Sequence, residues 1–219
     1  MKTADAPRTP YSAAKRKQVL DAIYDAAIVE FSLHGPKGAS TQGIAERAGI
    51  SKQHLHYYID SKEALYAEVM RRAITRWGKG ITLAGKHADP VEAISALIRS
   101  KLDFALDFPQ ESRLLTNDVL SGGTFMAPLW KQWTARRRKA ALVVERWIST
   151  GLIQPLDPIL FMFHLWALTQ YYADYESQVR AIMGVKDGQP LDRERIVAEV
   201  TTFVLRGCGL DPASVKIEG

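Results

Sequence analysis

The stretch that most narrows what this chain can fold into is residues 41–70, TQGIAERAGISKQHLHYYIDSKEALYAEVM. Thr41 opens a short segment whose apolar residues Ile44, Ala45 and Ala48 fall on one side at helical spacing, and Gly49 and Ile50 interrupt it. A second short segment follows with a single internal anchor, Leu55, and a third opens at Ser61. Two short helices joined by a tight glycine-bearing turn are a helix-turn-helix, and the second is of a length that enters a DNA major groove.

This run resembles the N-terminal domain of the TetR family of transcription regulators. The features that carry the resemblance stand in order as Thr41, Ile44-Ala45, Ala48-Gly49-Ile50-Ser51, His56-Tyr57-Tyr58-Ile59 and Ser61-Lys62-Glu63-Ala64-Leu65. The chain departs from the family's usual residues at Ile59, where phenylalanine is common, and at His56, often tyrosine. The first changes the volume of a core position and the second removes a phosphate contact. The resemblance implies an all-α protein, with an N-terminal three-helix DNA-binding domain and a C-terminal helical domain for ligand binding and dimerisation. The expected division is a flexible arm over 1–12, the DNA-binding domain over 13–60 and the second domain over 61–219.

The charge distribution agrees with a polyanion partner for the first part. Residues 1–90 hold 14 Lys and Arg against 9 Asp and Glu, whereas residues 91–219 hold 15 of each, so the first part carries the whole net charge of +5. Hydrophobic residues at 47% and charged ones at 24% are those of an ordinary globular protein. The single cysteine, Cys208, excludes an internal disulfide and a cysteine-based metal cluster. No apolar stretch is long enough to span a membrane, and no signal peptide is legible, so cytoplasmic residence is the expectation.

Within the head, a helix over 13–33 ends at Gly35-Pro36, and Ser40 or Thr41 caps the next one, where free amides can also face a phosphate. Ser51 is the N-cap of the reading helix. Leu55 points inward, leaving Lys52, Gln53, His54 and Tyr57 for bases and backbone: lysine pairs with guanine acceptors or phosphates, and glutamine with an adenine edge. Lys15, with Arg16 and Lys17, extends the arm onto phosphates. His54 and His56 have no cysteine or paired carboxylate at ligand spacing, so no metal is expected. The resemblance places Tyr57 and Lys62 on phosphates; Lys62 stands in the first turn of its helix, where a cation calls for a partner anion.

The rest of the chain reads as helices over 61–78, 91–108, 110–120, 126–150, 159–183 and 192–208, with a looser joint marked by Gly78, Gly80, Gly85 and Pro90. The run Arg136-Arg137-Arg138-Lys139 winds around its helix and reads as a solvated face. The segment 159–183 places large apolar and aromatic residues on more than one face, which asks for two packing partners. One is the core. The other is the same helix of a second copy, forming with the last helix a homodimer interface that suits a pseudo-palindromic operator.

Residues 101–120 (KLDFALDFPQESRLLTNDVL), Pro155-Leu156-Asp157-Pro158 and 166–175 (WALTQYYADY) are similar to the ligand domain of the pyrimidine-utilisation regulators of the same family, which sense uracil or thymine. The resemblance implies an effector pocket lined by Trp77, Trp166 and Gln170. Indole faces stack on planar rings and a glutamine amide both donates and accepts, as a pyrimidinedione edge requires. Asn117, Asp118 and Thr169 are further polar candidates. The acids Asp103, Asp107, Glu111 and Asp118, and His164 near Asp174, lack a metal-ligand signature, a phosphate loop or a nucleophile arrangement, so no catalytic residue and no cofactor is expected. Two other readings stay open: a TetR-like regulator of an unrelated small molecule, and a structural module without specific DNA binding.

Overall fold

The computed structural model describes residues 10–78, 83, 89–186 and 188–214. Most of the expected arm, and Gly80 and Gly85 of the expected joint, lie outside those residues. Among the described residues every regular element is helical, and no helix is long and apolar enough to cross a membrane. The contacts divide the chain into two units, Met1–Arg72 and Ala73–Gly219. Residues 61–72 therefore pack with the first unit, although the sequence reading opened the second domain at 61.

The first unit holds α1 (Pro10–Gly38), α2 (Thr41–Arg47), α3 (Lys52–Tyr58) and α4 (Lys62–Trp77) as far as Arg72. Helix α1 breaks where the sequence places Gly35-Pro36: Gly35 has φ 65°, a left-handed conformation, and only one further turn follows. Ile23, Ala27 and Phe31 of α1, Ile44 and Ala45 of α2, Leu55 of α3 and Val69 and Met70 of α4 are all buried, and Phe31 meets Tyr66 edge to face at 4.9 Å. Helices of seven residues are not stable alone, and each of these two is fixed at its start by a serine. Ser40 Oγ accepts from the Gly43 amide at 2.9 Å and Ser51 Oγ from the His54 amide at 3.1 Å. The cap of α2 is thus Ser40 rather than Thr41. At its end Gly49 turns left-handed (φ 68°), and the Ile50 and Gly49 amides close on Ala45 and Glu46 carbonyls at 3.0 and 3.1 Å, the Schellman pattern.

A buried acid braces this arrangement. Glu30 of α1 is 5% exposed; its carboxylate accepts from the Ser40 amide at 3.3 Å and from Arg47 Nε at 3.1 Å. Burial alone would raise the Glu30 carboxyl, but the Arg47 and Ser40 hydrogen bonds, with the charges of His34 and Arg47, outweigh it and hold the group below its ordinary value of 4.5. Gly43 is where it is because a Cβ there would stand 2.5 Å from Glu30 Oε1.

The second unit holds α5 (Pro90–Asp107), α6 (Pro109–Leu120), α7 (Ala127–Ser149), α8 (Pro158–Asp174), α9 (Glu176–Met183) and α10 (Arg193–Gly207). Asp89, Asp157 and Asp192 cap α5, α8 and α10, and Pro90, Pro109 and Pro158 take first-turn positions where no amide is needed. Helix α8 is central, packing on α5, α6, α7 and α10. Its Phe161, Met162 and Leu165 join Ile94, Leu97, Ile98 and Leu102 of α5, Val144 and Trp147 of α7, and Val200, Val204 and Leu205 of α10.

The single helix expected over 159–183 is two helices. The chain leaves helical geometry at Tyr175 (φ −111°, ψ 30°), with no glycine or proline there. The cause is tertiary: Arg113 of α6 donates to the Ala173 carbonyl at 2.8 Å and to Glu176 at 3.1 Å, satisfying the end of α8 and anchoring the start of α9 together.

Gly43→Ala should lower the stability of the first unit by about 1–3 kcal/mol in urea titration by displacing Glu30 from its donors, and should add little in a Glu30→Ala background. The Glu30 contribution has a defined sign with pH. Because its folded value is depressed, it is fully present above 4.5 and is lost as pH falls through the folded value.

Candidate functional site

On α3, Leu55 is fully buried while Lys52, Gln53, His54 and His56 are exposed and Tyr57 is 70% exposed. The exposed side therefore presents Lys52, Gln53, His54 and Tyr57 together. Ring contacts order it: His54 meets Tyr58 at 5.2 Å and Tyr57 meets Tyr58 at 5.3 Å, both edge to face. The Arg16 guanidinium lies 5.5 Å from the Tyr58 ring centre and 6.0 Å from that of Tyr57, so a cation of α1 stands beside the α3 aromatics. Lys15, Arg16 and Lys17 are helical residues of α1, not part of an arm. Thr41 opens α2 half-buried, and Ser51 is engaged as a cap.

Lys62 has partners within the chain that the sequence does not show. Its ammonium donates to the Ala39 carbonyl at 2.9 Å and to the Lys37 carbonyl at 3.4 Å. A cation in the first turn of α4 is thus held by carbonyl oxygens at the end of α1 and before α2, which leaves the third N–H of the ammonium for an anion.

The second unit contains a cavity of about 320 Å³ between α5, α7, α8 and the last residues of α4. An adjoining one of about 290 Å³ lies toward α6. Trp77, Trp133, Arg137 and Trp166 wall both. Trp77 and Trp133 meet at 4.8 Å with a 47° tilt, and the Arg137 guanidinium lies 3.8 Å from the Trp166 ring centre and 5.9 Å from that of Trp133. Leu83, Leu97, Met162 and Leu165 supply apolar wall to the larger cavity, and Lys101 supplies a second cation, its ammonium 5.4 Å from the Trp166 ring centre. Burial, and then the charge of Arg137, pushes Lys101 down to about 7; burial also lowers Arg137.

Of the six residues expected around an effector, Trp77 and Trp166 wall both cavities and Gln170 lines the smaller. Gln170 Nε2 donates to Thr116 Oγ1, whose hydroxyl donates to Asp174 Oδ2 at 3.0 Å. Burial raises the Asp174 carboxyl against the opposing pull of these donors and of Arg113. Thr169 lines neither cavity: it is 1% exposed and its hydroxyl donates back to the Leu165 carbonyl at 2.7 Å. Asn117 is exposed and also lines neither.

Sequence reasoning missed Lys101, Trp133, Arg137 and Thr116. Two signals were available. Lys101 continues the apolar spacing of Ile94, Leu97 and Ile98 into Leu102 and Ala105, so it sits on the buried stripe of α5. Trp133 and Arg137 are four residues apart on the face that leads to Ala140 and Val144. The solvated reading of the basic run holds for the exposed Arg136, Arg138 and Lys139 and fails at Arg137, because a run that winds around a helix must turn one member inward.

The acids have structural partners. Asp103 and Asp107 bind Arg193, Glu111 binds Arg76 at 2.8 Å, and Asp118 accepts from the Phe125 and Met126 amides to hold the turn into α7. His164 is exposed. Among the described residues no group of three or more His, Cys, Asp or Glu could hold a metal ion.

Two family models match consecutive parts of the chain: bacterial regulatory proteins of the tetR family over residues 23–69, and the C-terminal region of YcdC-like proteins over 70–211. The HTH-type transcriptional regulator RutR of Escherichia coli (strain K12) is 34% identical over 195 residues, covering 89% of this chain and 90% of that protein. The HTH-type transcriptional repressor SCO4008 of Streptomyces coelicolor is 28% identical over 169 residues, covering 75% and 83%. Among solved structures, the transcriptional regulator SCO4942 from Streptomyces coelicolor superposes with a TM-score of 0.62 at 25% identity, over 86% of this chain and 97% of that one.

Lys62→Met removes the two carbonyl contacts and should lower the urea stability of the first unit by about 1 kcal/mol. The loss should be nearly the same at low and high salt, since it is a brace to neutral oxygens. A loss that vanishes with added salt would point to a charge pair instead.

Proposed function

Because the chain belongs to the TetR family of bacterial regulatory proteins, a class of ligand-responsive DNA-binding transcription regulators rather than enzymes, we propose that it is a homodimeric repressor released from its operator by a small planar effector such as uracil or thymine. The observation that carries the effector reading is the tryptophan-walled cavity pair, with the Gln170 amide at its smaller end. Two indoles, Trp77 and Trp166, offer stacking faces, and Gln170 offers the paired donor and acceptor that an imide edge matches. The likeness of residues 101–120, 155–158 and 166–175 to the pyrimidine-responsive regulators supports the same class of ligand.

In this reading Lys52, Gln53, His54 and Tyr57 enter the major groove, Lys15 and the start of α2 at Thr41 meet phosphates, and Ser51 holds the reading helix in place. A two-fold dimer then reads a pseudo-palindromic operator. Support for the dimer comes from the exposed apolar side chains Ile159, Leu160, Phe163 and Tyr171 on α8 and Phe203 on α10, between 41% and 68% accessible in the single chain. A two-fold interface built from α8 and α10 would cover them. Helix α4 supplies the route between sites: it is continuous from Lys62 to Trp77, and Trp77 is cavity wall. An effector that prefers one placement of Trp77 favours one placement of that helix. It releases DNA only to the extent that it binds the released conformation more tightly.

Binding to DNA from upstream of the protein's own gene, titrated with uracil and thymine, tests the reading. Release by either base is expected; DNA binding indifferent to both would remove the pyrimidine assignment and keep the reading head. Gln53→Ala should cost about 1–3 kcal/mol of discrimination at one base pair while leaving binding to random DNA unchanged. Gln170→Leu should weaken the effector response without weakening operator affinity, and an unaltered effector dose-response would take Gln170 out of the site.

A further inference from the structure

Among the described residues, every cation of the second unit except Lys101 and Arg137 either is exposed to solvent or faces a carboxylate. Arg76, Arg99, Arg113, Arg180 and Arg193 each face a carboxylate across an ion pair. Lys101 and Arg137 do not: among the described residues neither has an acid at ion-pair distance or a hydrogen bond, and their neighbours are indoles. Lys101 is 6% exposed. A lysine held inside aromatic and aliphatic walls without a counter-ion is strongly disfavoured, and a second cation beside it adds repulsion. Packing does not require either charge, since methionine or leucine would fill the same wall. A neutral imide ring does not require two cations either.

We propose that the larger cavity carries an anion subsite, formed by Lys101 and Arg137 beside the Trp166 ring, and that its ligand is a planar aromatic or heteroaromatic ring bearing one carboxylate. The inference rests on the effector-cavity reading above and narrows it from a neutral ring to a monoanion. The ring stacks on indole and the carboxylate takes the ammonium and guanidinium. Both cations serve at once because both already stand over the same ring, at 5.4 and 3.8 Å.

The charged environment gives the binding a pH signature. Facing Lys101 across the cavity are Arg137 and the exposed Arg136 of α7; the residues of α8 and of the end of α4 that line it, Met162, Leu165, Trp166 and Trp77, carry no titratable group. Burial, with the charge of Arg137 added to it, holds Lys101 near 7. A carboxylate reverses that effect, so the lysine takes up a proton as the anion binds, and affinity for the anion falls as pH rises above 7. A neutral ring shows no such dependence.

Calorimetry on the full chain with two matched pairs, uracil against orotate and benzamide against benzoate, decides the matter. The carboxylate member of at least one pair should bind about tenfold or more tighter at pH 7. Its heat should vary with buffer ionisation enthalpy in the sense of proton uptake. The preference should disappear in Lys101→Met, persist in Lys101→Arg and shrink in Arg137→Gln. Arg137 is half-buried, so its variant serves if Lys101→Met fails to fold. Neutral members binding as tightly as the anions, or a preference that survives in a well-folded Lys101→Met, overturns the subsite. Benzoate bound with neither pyrimidine keeps the subsite and removes the pyrimidine reading; uracil bound with orotate excluded does the reverse. No binding by any of the four overturns both.

Discussion

The second unit depends on the fact that α8 is apolar nearly all the way round. A helix with one apolar stripe packs on one neighbour, whereas α8 must satisfy several directions at once. Phe161, Met162 and Leu165 close the core with α5, α7 and α10. Trp166 and Gln170 turn toward the cavities. Ile159, Leu160, Phe163 and Tyr171 stay exposed in the single chain. Core, cavity wall and candidate dimer face are thus three sides of one helix, and a change on one side is felt on the others through displacement of the helix. Packed helices shift as units instead of deforming gradually, so a displacement begun on one side of α8 reaches all three.

In the first unit the corresponding constraint is shortness. Helices α2 and α3 of seven residues each bury little area, Ile44 and Ala45 on one and Leu55 on the other. Their orientation is therefore set by polar contacts with directional geometry. Glu30 ties the start of α2 to Arg47 at its end, Ser51 starts α3, and Lys62 closes the Lys37 and Ala39 carbonyls. These contacts hold the exposed row of α3 in one orientation, which is what direct reading of base edges requires.

What was legible in the sequence was local. The serine caps, the Gly35-Pro36 break and the turn at Gly49 all act within a few residues, so their chemistry could be read without knowing the fold. The same is true of Leu55 inward with Lys52, Gln53 and Tyr57 outward, which follows from helical spacing and a resemblance in order. What was not legible had a distant partner. The break at Tyr175 is made by Arg113, sixty residues before Ala173. The role of Lys62 depends on Ala39, and that of Glu30 on Ser40 and Arg47. Asn117 and Thr169 were near the right helices but on the wrong sides, since a cavity wall selects one face of each helix and the sequence does not say which.

Lys101 and Arg137 illustrate a different failure. A lysine on a buried stripe and an arginine in a basic run both look unremarkable by residue type, and each becomes informative only when the other is known to share its wall. Their charge is unfavourable in the protein taken alone, with Lys101 driven down to about 7 by burial and by Arg137. That penalty is what makes them effective in a ligand site. An anion that enters relieves repulsion and desolvation together, so its binding free energy contains a term that a neutral ring of the same shape lacks. If the penalty differs between the DNA-bound and released conformations, as movement of Trp77 or Arg137 against Trp166 would make it, the same term supplies the differential affinity on which any effector response depends.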